Sequence, residues 1–138
     1  MDSDYQGSPE IDEITASELT PIPIVPLKDY LLVTIHTEIS DILANKMLQD
    51  ITKELWDSGS KGLIIDITSV QIVDSYIARI LDKIGRMAKM MGCQTVIVGM
   101  QPQVAMTLTE MGLDIEGVKS ALNVDRGLEL LDEMIGGG

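Results

Sequence analysis

Short, nearly continuous apolar runs alternate with longer amphipathic stretches along this sequence. Residues 62–67 and 93–98 form two such runs, each of the length typical of a strand covered on both faces. Between them, over residues 77–91, apolar residues recur at the three- and four-residue spacing of a helix. Repeated strand–helix units predict a mostly parallel sheet joined by right-handed crossovers.

The remaining elements complete an α/β fold. Before the first buried run we predict an edge strand at 21–26, a strand at 31–36 and a helix from Ser40 or Asp41 to 58–60. The helix between the two runs is predicted to be capped by Ser75 and stopped by Gly92. After the second run we predict a short helix from Pro102 to Gly112, a weak strand at 118–122 and a last helix at 124–135. The first two strands are expected to be antiparallel because their connection is tight. The prediction is one mixed, mostly parallel sheet of about five strands with about four helices.

Length and composition predict one domain. The chain has 138 residues, of which 45% are hydrophobic, enough for a single core. Residues 1–20 are acidic and polar, and we interpret them as a flexible tail preceding a domain over 21–138. Aromatic residues make up only 3%, so the predicted core is aliphatic, with the nine Met residues as filler by default. The alternative for some of them is a place at partner contacts, since methionine adapts to partner surfaces.

The charge of the chain limits its partners. A net charge of -12 argues against binding to nucleic acid or to an anionic membrane surface, and favours a protein partner with a basic patch. The first residues lack the pattern of a secretory signal, and no apolar run approaches the roughly 20 residues that span a bilayer. We therefore expect a cytoplasmic protein.

Several kinds of active site are absent from the sequence. It contains no G-x-G-x-x-G, Walker A or G-x-S-x-G motif. His36 is the single histidine and Cys93 the single cysteine, and no cluster has metal-ligand spacing. We expect no catalytic residues, no cofactor and no metal, and we interpret Cys93 as a small buried residue.

One connector stands out, because it leaves a buried strand and enters a strongly amphipathic helix. It runs from Asp66 to Ser75, beyond the carboxyl end of a strand, where sites in open α/β sheets gather. Ser75 has an ordinary interpretation as a helix cap, worth about 1 kcal/mol. It also has a functional one, since a phosphate there would lie beside the positive end of the helix dipole.

The residues around Ser75 resemble a known family. Val73-Asp74-Ser75 followed by an apolar helix resembles the phosphorylation motif of STAS domains, the anti-sigma-factor antagonist family. Three longer stretches are similar to its RsbS type, the stressosome scaffold: residues 22–24 with 31–33, residues 65–79 and residues 98–102. The resemblance runs from about Ile22 to the C-terminus. Tyr76 and Ile77 replace the serine and glycine of direct sigma-factor antagonists, which favours the stressosome branch.

The resemblance implies a stress-response signalling role. It implies a large cytoplasmic assembly with RsbR-type STAS paralogues, a serine/threonine kinase of the RsbT type that phosphorylates Ser75 and is then released, and an RsbX-type phosphatase that resets the site. Asp74 would shape the site, Thr68 and Ser69 would border it, and Ser40 is a second candidate serine, although an ordinary cap is favoured there.

Two other functions remain as alternatives to the scaffold role. One is a direct antagonist that binds an anti-sigma kinase without a large assembly. The other is a phospho-receiver, which needs a cluster of acidic residues to hold Mg²⁺. His36 and Glu38 stand at the relevant strand end in place of an acidic pair, which disfavours the receiver.

Overall fold

Five strands form one mixed sheet whose spatial order follows the chain. The computed structural model describes residues 22–35, 39–112 and 118–136, so the predicted tail, His36 and Glu38 lie outside the described residues. The strands are β1 (Ile24–Leu27), β2 (Tyr30–Thr34), β3 (Gly62–Asp66), β4 (Gln94–Val98) and β5 (Val118–Ala121). Strands β1 and β2 are antiparallel and the other neighbouring pairs are parallel, which confirms the predicted sheet.

Four helices connect or follow the strands. They are α1 (Asp41–Ser58), α2 (Ser75–Met90), α3 (Pro102–Glu110) and α4 (Val124–Leu131), and a π-helical turn, Asp132–Gly136, continues α4. The start of α1 is capped as predicted, because the Ser40 hydroxyl accepts a hydrogen bond from the Leu43 N–H at 3.1 Å. Gly59 ends α1 in the left-handed conformation, at φ +69°.

The two faces of the sheet are covered unequally. Each crossover steps to the next strand, so right-handed connections place α1, α2 and α3 on the same face. Their buried side chains form one aliphatic core with β2, β3 and β4. Helix α4 lies on the other face over Ile64, Val96 and Val98. Gly127 permits this close packing, since a Cβ there would lie 2.9 Å from Val98 Cγ1.

The prediction that methionine fills the core is wrong for most positions. Of the methionines that the structure describes, Met47 alone is buried. Isoleucine, leucine and valine occupy the inward-facing stripes of the helices, and the methionines flank those stripes. Met90, Met106 and Met111 are exposed, Met90 with 90% of its surface accessible.

Candidate functional site

The connector between β3 and α2, residues 67–74, is anchored in the core at every third position. Its first residue extends the sheet, because the Ile67 N–H donates to the Val98 carbonyl at 3.0 Å. Ile67, Val70 and Val73 are all at most 5% exposed. The residues between them, from Thr68 to Ile72, face solvent on both sides of Val70. Apolar burial therefore determines the shape of this connector.

Thr68 links the connector to the turn that follows β4. Its N–H and its hydroxyl both donate to Asp66 Oδ1, at 2.9 and 2.5 Å. Its carbonyl accepts from Gln101 Nε2 at 2.6 Å. Gly99, at φ +76°, packs directly on the Thr68 side chain, and a Cβ at position 99 would overlap the threonine hydroxyl. Thr68 thus holds the connector and the turn after β4 together.

The prediction that Ser75 caps helix α2 is wrong by one residue. Asp74 is the N-cap: its backbone is extended, and its carboxylate accepts from the Ile77 N–H at 2.8 Å. Asp and Ser cap helices about equally well, so the pair Asp74-Ser75 offers two possible starts. The structure selects the aspartate, and Ser75 becomes the first residue inside the helix.

Because Asp74 supplies the cap, the Ser75 hydroxyl is not needed to start the helix. Its side chain faces solvent, and within the described residues its hydroxyl makes no hydrogen bond. The first backbone N–H groups of a helix lack partners inside the helix. In α2 these N–H groups lie at the end that begins with Ser75. The arrangement presents a free hydroxyl beside a partial positive charge.

Tyr76 and Ile77, the bulky pair after Ser75, have structural contacts of their own. The Tyr76 hydroxyl accepts from Asn45 Nδ2 at 2.6 Å, which joins the first turns of α1 and α2. Ile77 turns inward and lines a cavity of about 210 Å³ under the start of α2. Sequence reasoning did not connect Asn45 or Gln101 with this region.

The cavity beside the site is lined almost entirely by branched aliphatic side chains. Among the described residues Asp74 is the one charged residue in its wall, and the others are Ile35, Ile39, Ile67, Val70, Ile72, Val73, Ile77 and Leu81. Ile72 is 66% exposed at this edge. This described part of the lining can accept an apolar group, and it contains no acid–base pair and no set of metal ligands.

The other candidate residues differ in their surroundings. Of the flanking residues, Ser69 lies on the exposed part of the connector. Ser40 uses its hydroxyl to cap α1. Cys93 donates to the Ser60 carbonyl at 3.1 Å, and burial raises the pKa of its thiol, which keeps it protonated. In the described ranges no group of three or more His, Cys, Asp or Glu side chains could hold a metal ion.

A membrane-crossing helix is not found either: none of the helices in residues 22–35, 39–112 and 118–136 combines the necessary length and apolar character.

Comparisons with known proteins agree with this fold. Residues 22–126 match the STAS domain. A structure of a serine-to-glutamate variant of RsbS from Moorella thermoacetica is 37% identical, has a TM-score of 0.73, and is matched over 82% of this chain and 96% of that one. A chain in the molecular architecture of the stressosome is 38% identical, with a TM-score of 0.64, over 81% of this chain and 97% of that one.

A curated relative, the RsbT co-antagonist protein RsbRD of Bacillus subtilis, is 29% identical over 77% of this chain and 38% of its own length. The chain spans less than half the length of the curated co-antagonists it matches. It covers nearly the whole of the RsbS and stressosome chains, at higher identity. The chain therefore belongs to the STAS domain family and is of the RsbS type.

Proposed function

We propose that this chain is a non-enzymatic stress-signalling scaffold that holds a serine/threonine kinase of the RsbT type and releases it when Ser75 is phosphorylated. Two similarities support the proposal. The chain resembles RsbS and a stressosome chain over nearly their whole lengths. It also resembles two proteins named as RsbT co-antagonists.

The observation that carries the proposal is the exposed, unoccupied hydroxyl of Ser75 on the first turn of α2. A kinase needs an acceptor hydroxyl that can enter its active site without breaking hydrogen bonds of the folded substrate. Ser40, the other candidate, does not meet this condition because its hydroxyl accepts the capping bond from Leu43. Within this pair of serines, Ser75 is the better acceptor.

The chemistry belongs to the partner enzymes. In the kinase reaction the Ser75 oxygen bonds to the γ-phosphorus of ATP, the bond to ADP breaks, and the hydroxyl proton passes to a base of the kinase. An RsbX-type phosphatase would reset the site by hydrolysis, with water as the nucleophile and inorganic phosphate as the product. This chain contributes the acceptor oxygen and needs no cofactor of its own.

Phosphorylation would change the surface of the domain and leave its fold intact. The phosphate brings about two negative charges to the positive end of α2, a position that helices tolerate well. The Asp74 carboxylate already occupies the Ile77 N–H and opposes the new charge. A kinase packed against this surface would meet a bulky dianion and be repelled.

The scaffold would work in an assembly with RsbR-type STAS paralogues, which bring the sensory input. A direct antagonist would instead form a small complex with an anti-sigma kinase. Sedimentation of the chain mixed with an RsbR-type partner separates the two, since a stressosome-type shell sediments far faster than a one-to-one complex.

Mass spectrometry after incubation with an active RsbT-type kinase and ATP tests the site itself. We expect one phosphate on the wild-type chain, mapped to Ser75, and none on Ser75→Ala. Ser69→Ala is the matched control, because Ser69 is also exposed and lies on the same connector. Phosphate that persists in Ser75→Ala, or its absence from the wild-type chain, would overturn the proposal.

A further inference from the structure

Helix α2 carries a charge opposite to that of the rest of the chain. The protein has a net charge of -12, but α2 contains four basic residues and a single carboxylate, Asp82, a net of +3. The four basic residues are Arg79, Lys83, Arg86 and Lys89, and all four are exposed. The acidic character expected for the whole surface therefore does not hold for the helix that begins with Ser75.

Three of these residues continue a line that starts at Ser75. Positions 75, 79, 83 and 86 are spaced by four, four and three residues, so they lie on one face of the helix. We call Arg79, Lys83 and Arg86 the basic stripe. From Ser75 to the last of them the stripe extends about 16 Å along the helix.

Most of this charge has no partner of opposite sign in the part of the chain that the structure describes. Arg86 pairs with Asp82 at 2.9 Å, on the same helix. Arg79 and Lys83 form no ion pair with any of the described residues. As far as the described ranges extend, two cations on neighbouring turns are therefore available to an external acidic group.

An apolar groove runs beside the basic stripe, between α1 and α2. Its walls include Leu48, Thr52 and Met87, and Lys83 lies on its rim. Trp56, in the last turn of α1, is 79% exposed, and Met90 ends α2 with 90% of its surface accessible. The two helices run in the same direction, since both return between parallel strands, so these side chains lie at the same end of the helix pair.

We infer that the outer surface of α1 and α2 is the docking surface for the kinase that modifies Ser75, and that this kinase presents acidic side chains to the basic stripe and an apolar side chain to the groove. The inference rests on the proposed function. Any kinase acting on Ser75 must cover the start of the stripe, and the next turns of α2 lie directly beside it. Trp, Met and Arg are the residue types enriched in interfaces.

The same geometry explains why a phosphate would weaken the complex. Arg79 follows Ser75 by one helical turn, the spacing at which side chains of opposite charge pair. A phosphate on Ser75 would engage Arg79 and add about two negative charges to a helix of net +3. An acidic partner would lose its attraction to Arg79, which would be paired with the phosphate. It would also be repelled by the remaining negative charge of the phosphate on Ser75.

Charge reversal tests the docking surface independently of phosphate transfer. We would measure binding of an RsbT-type kinase, without nucleotide, to chains carrying Ser75→Ala alone or with Arg79→Glu and Lys83→Glu. The matched control carries Lys61→Glu and Lys119→Glu, the same change in charge at exposed positions off α2. We expect the stripe variant to bind about tenfold more weakly or worse, and to lose its salt dependence. The control should stay near the parent at matched ionic strength.

The outcomes separate the two proposals. Equal binding by the stripe variant and its control would overturn the docking surface, whether or not Ser75 is phosphorylated. Stripe-dependent binding with no phosphate on Ser75 would support the docking surface and overturn the proposed switch. Circular dichroism checks folding, and if the double reversal unfolds, Arg79→Ala with Lys83→Ala gives the same test with a smaller change.

Discussion

Two serines stand at helix starts in this domain, and they differ in what their hydroxyl groups do. Ser40 precedes α1 and accepts a hydrogen bond from the Leu43 N–H. Ser75 opens α2, but Asp74 before it supplies the cap. The residue that precedes each serine decides its role: Ile39 cannot cap a helix, whereas Asp74 can. A capping neighbour thus leaves a serine hydroxyl free for modification.

Phosphorylation should show the largest difference between the two serines. With an active RsbT-type kinase, Ser75→Ala should remove all phosphate incorporation, while Ser40→Ala should incorporate phosphate at the wild-type level. The reason is that a capping hydroxyl must give up its bond to react. Phosphate transfer measured by intact-mass spectrometry checks this, and a phosphate on position 40 would contradict the comparison.

In stability measurements we expect the opposite order: replacing Ser40 should cost more than replacing Ser75. Ser40→Ala and Asp74→Ala each remove a cap and should lower the free energy of unfolding by about 1 kcal/mol. Ser75→Ala removes no cap and should change it by less than about 0.5 kcal/mol. Urea denaturation of the three variants measures these differences. A loss at Ser75→Ala equal to that at Asp74→Ala would show that the serine caps the helix in solution.

The contact between Gln101 and Thr68 tests whether the connector must be held for Ser75 to react. Gln101→Ala removes the hydrogen bond to the Thr68 carbonyl and should cost roughly 0.5–1.5 kcal/mol of stability. We also expect slower phosphate transfer to Ser75. Gln71→Ala is the matched control, since Gln71 is an exposed glutamine on the same connector and makes no hydrogen bond within the described residues. Equal rates in the two variants would show that the connector needs no such support.

A third hydroxyl sharpens the comparison through pH. Tyr30 donates to Asp132 at 2.6 Å, and this bond raises the pKa of Tyr30 from its ordinary value of 10.0 to about 12. The unfolded chain therefore ionises first, and wild-type stability should fall as pH rises from 10.0 toward 12. Tyr30→Phe should lack this part of the decline in urea denaturation. Parallel pH profiles for the two proteins would show that the bond contributes nothing.

The order of strands and helices could be predicted from the sequence because apolar periodicity changes clearly between them. The run at 62–67 is short, rich in isoleucine and begins with glycine, which favours a strand, and the spacing at 77–91 favours a helix. The cap of α2 could not be fixed, since Asp74 and Ser75 are both good caps and only the backbone conformation distinguishes them.

The parts of the site that sequence reasoning missed depend on contacts between distant residues. Gln101 and Thr68 are 33 positions apart, and Asn45 and Tyr76 are 31 apart. A clue was present, since both Thr68 and Gln101 follow neighbouring parallel strands and so reach the same edge. Which methionines are exposed could not be predicted, because composition reports how many apolar residues exist but not which of them face inward.

The sequential order of the strands has a consequence for synthesis on the ribosome. Every strand pairs with the strand made just before it, so the sheet can grow in the direction of translation without waiting for a distant segment. The exception is the face that α4 covers, because α4 is the last helix to emerge. Until then Ile64, Val96 and Val98 stay uncovered on that face. We therefore expect the nascent domain to be most prone to aggregation just before α4 packs on the sheet.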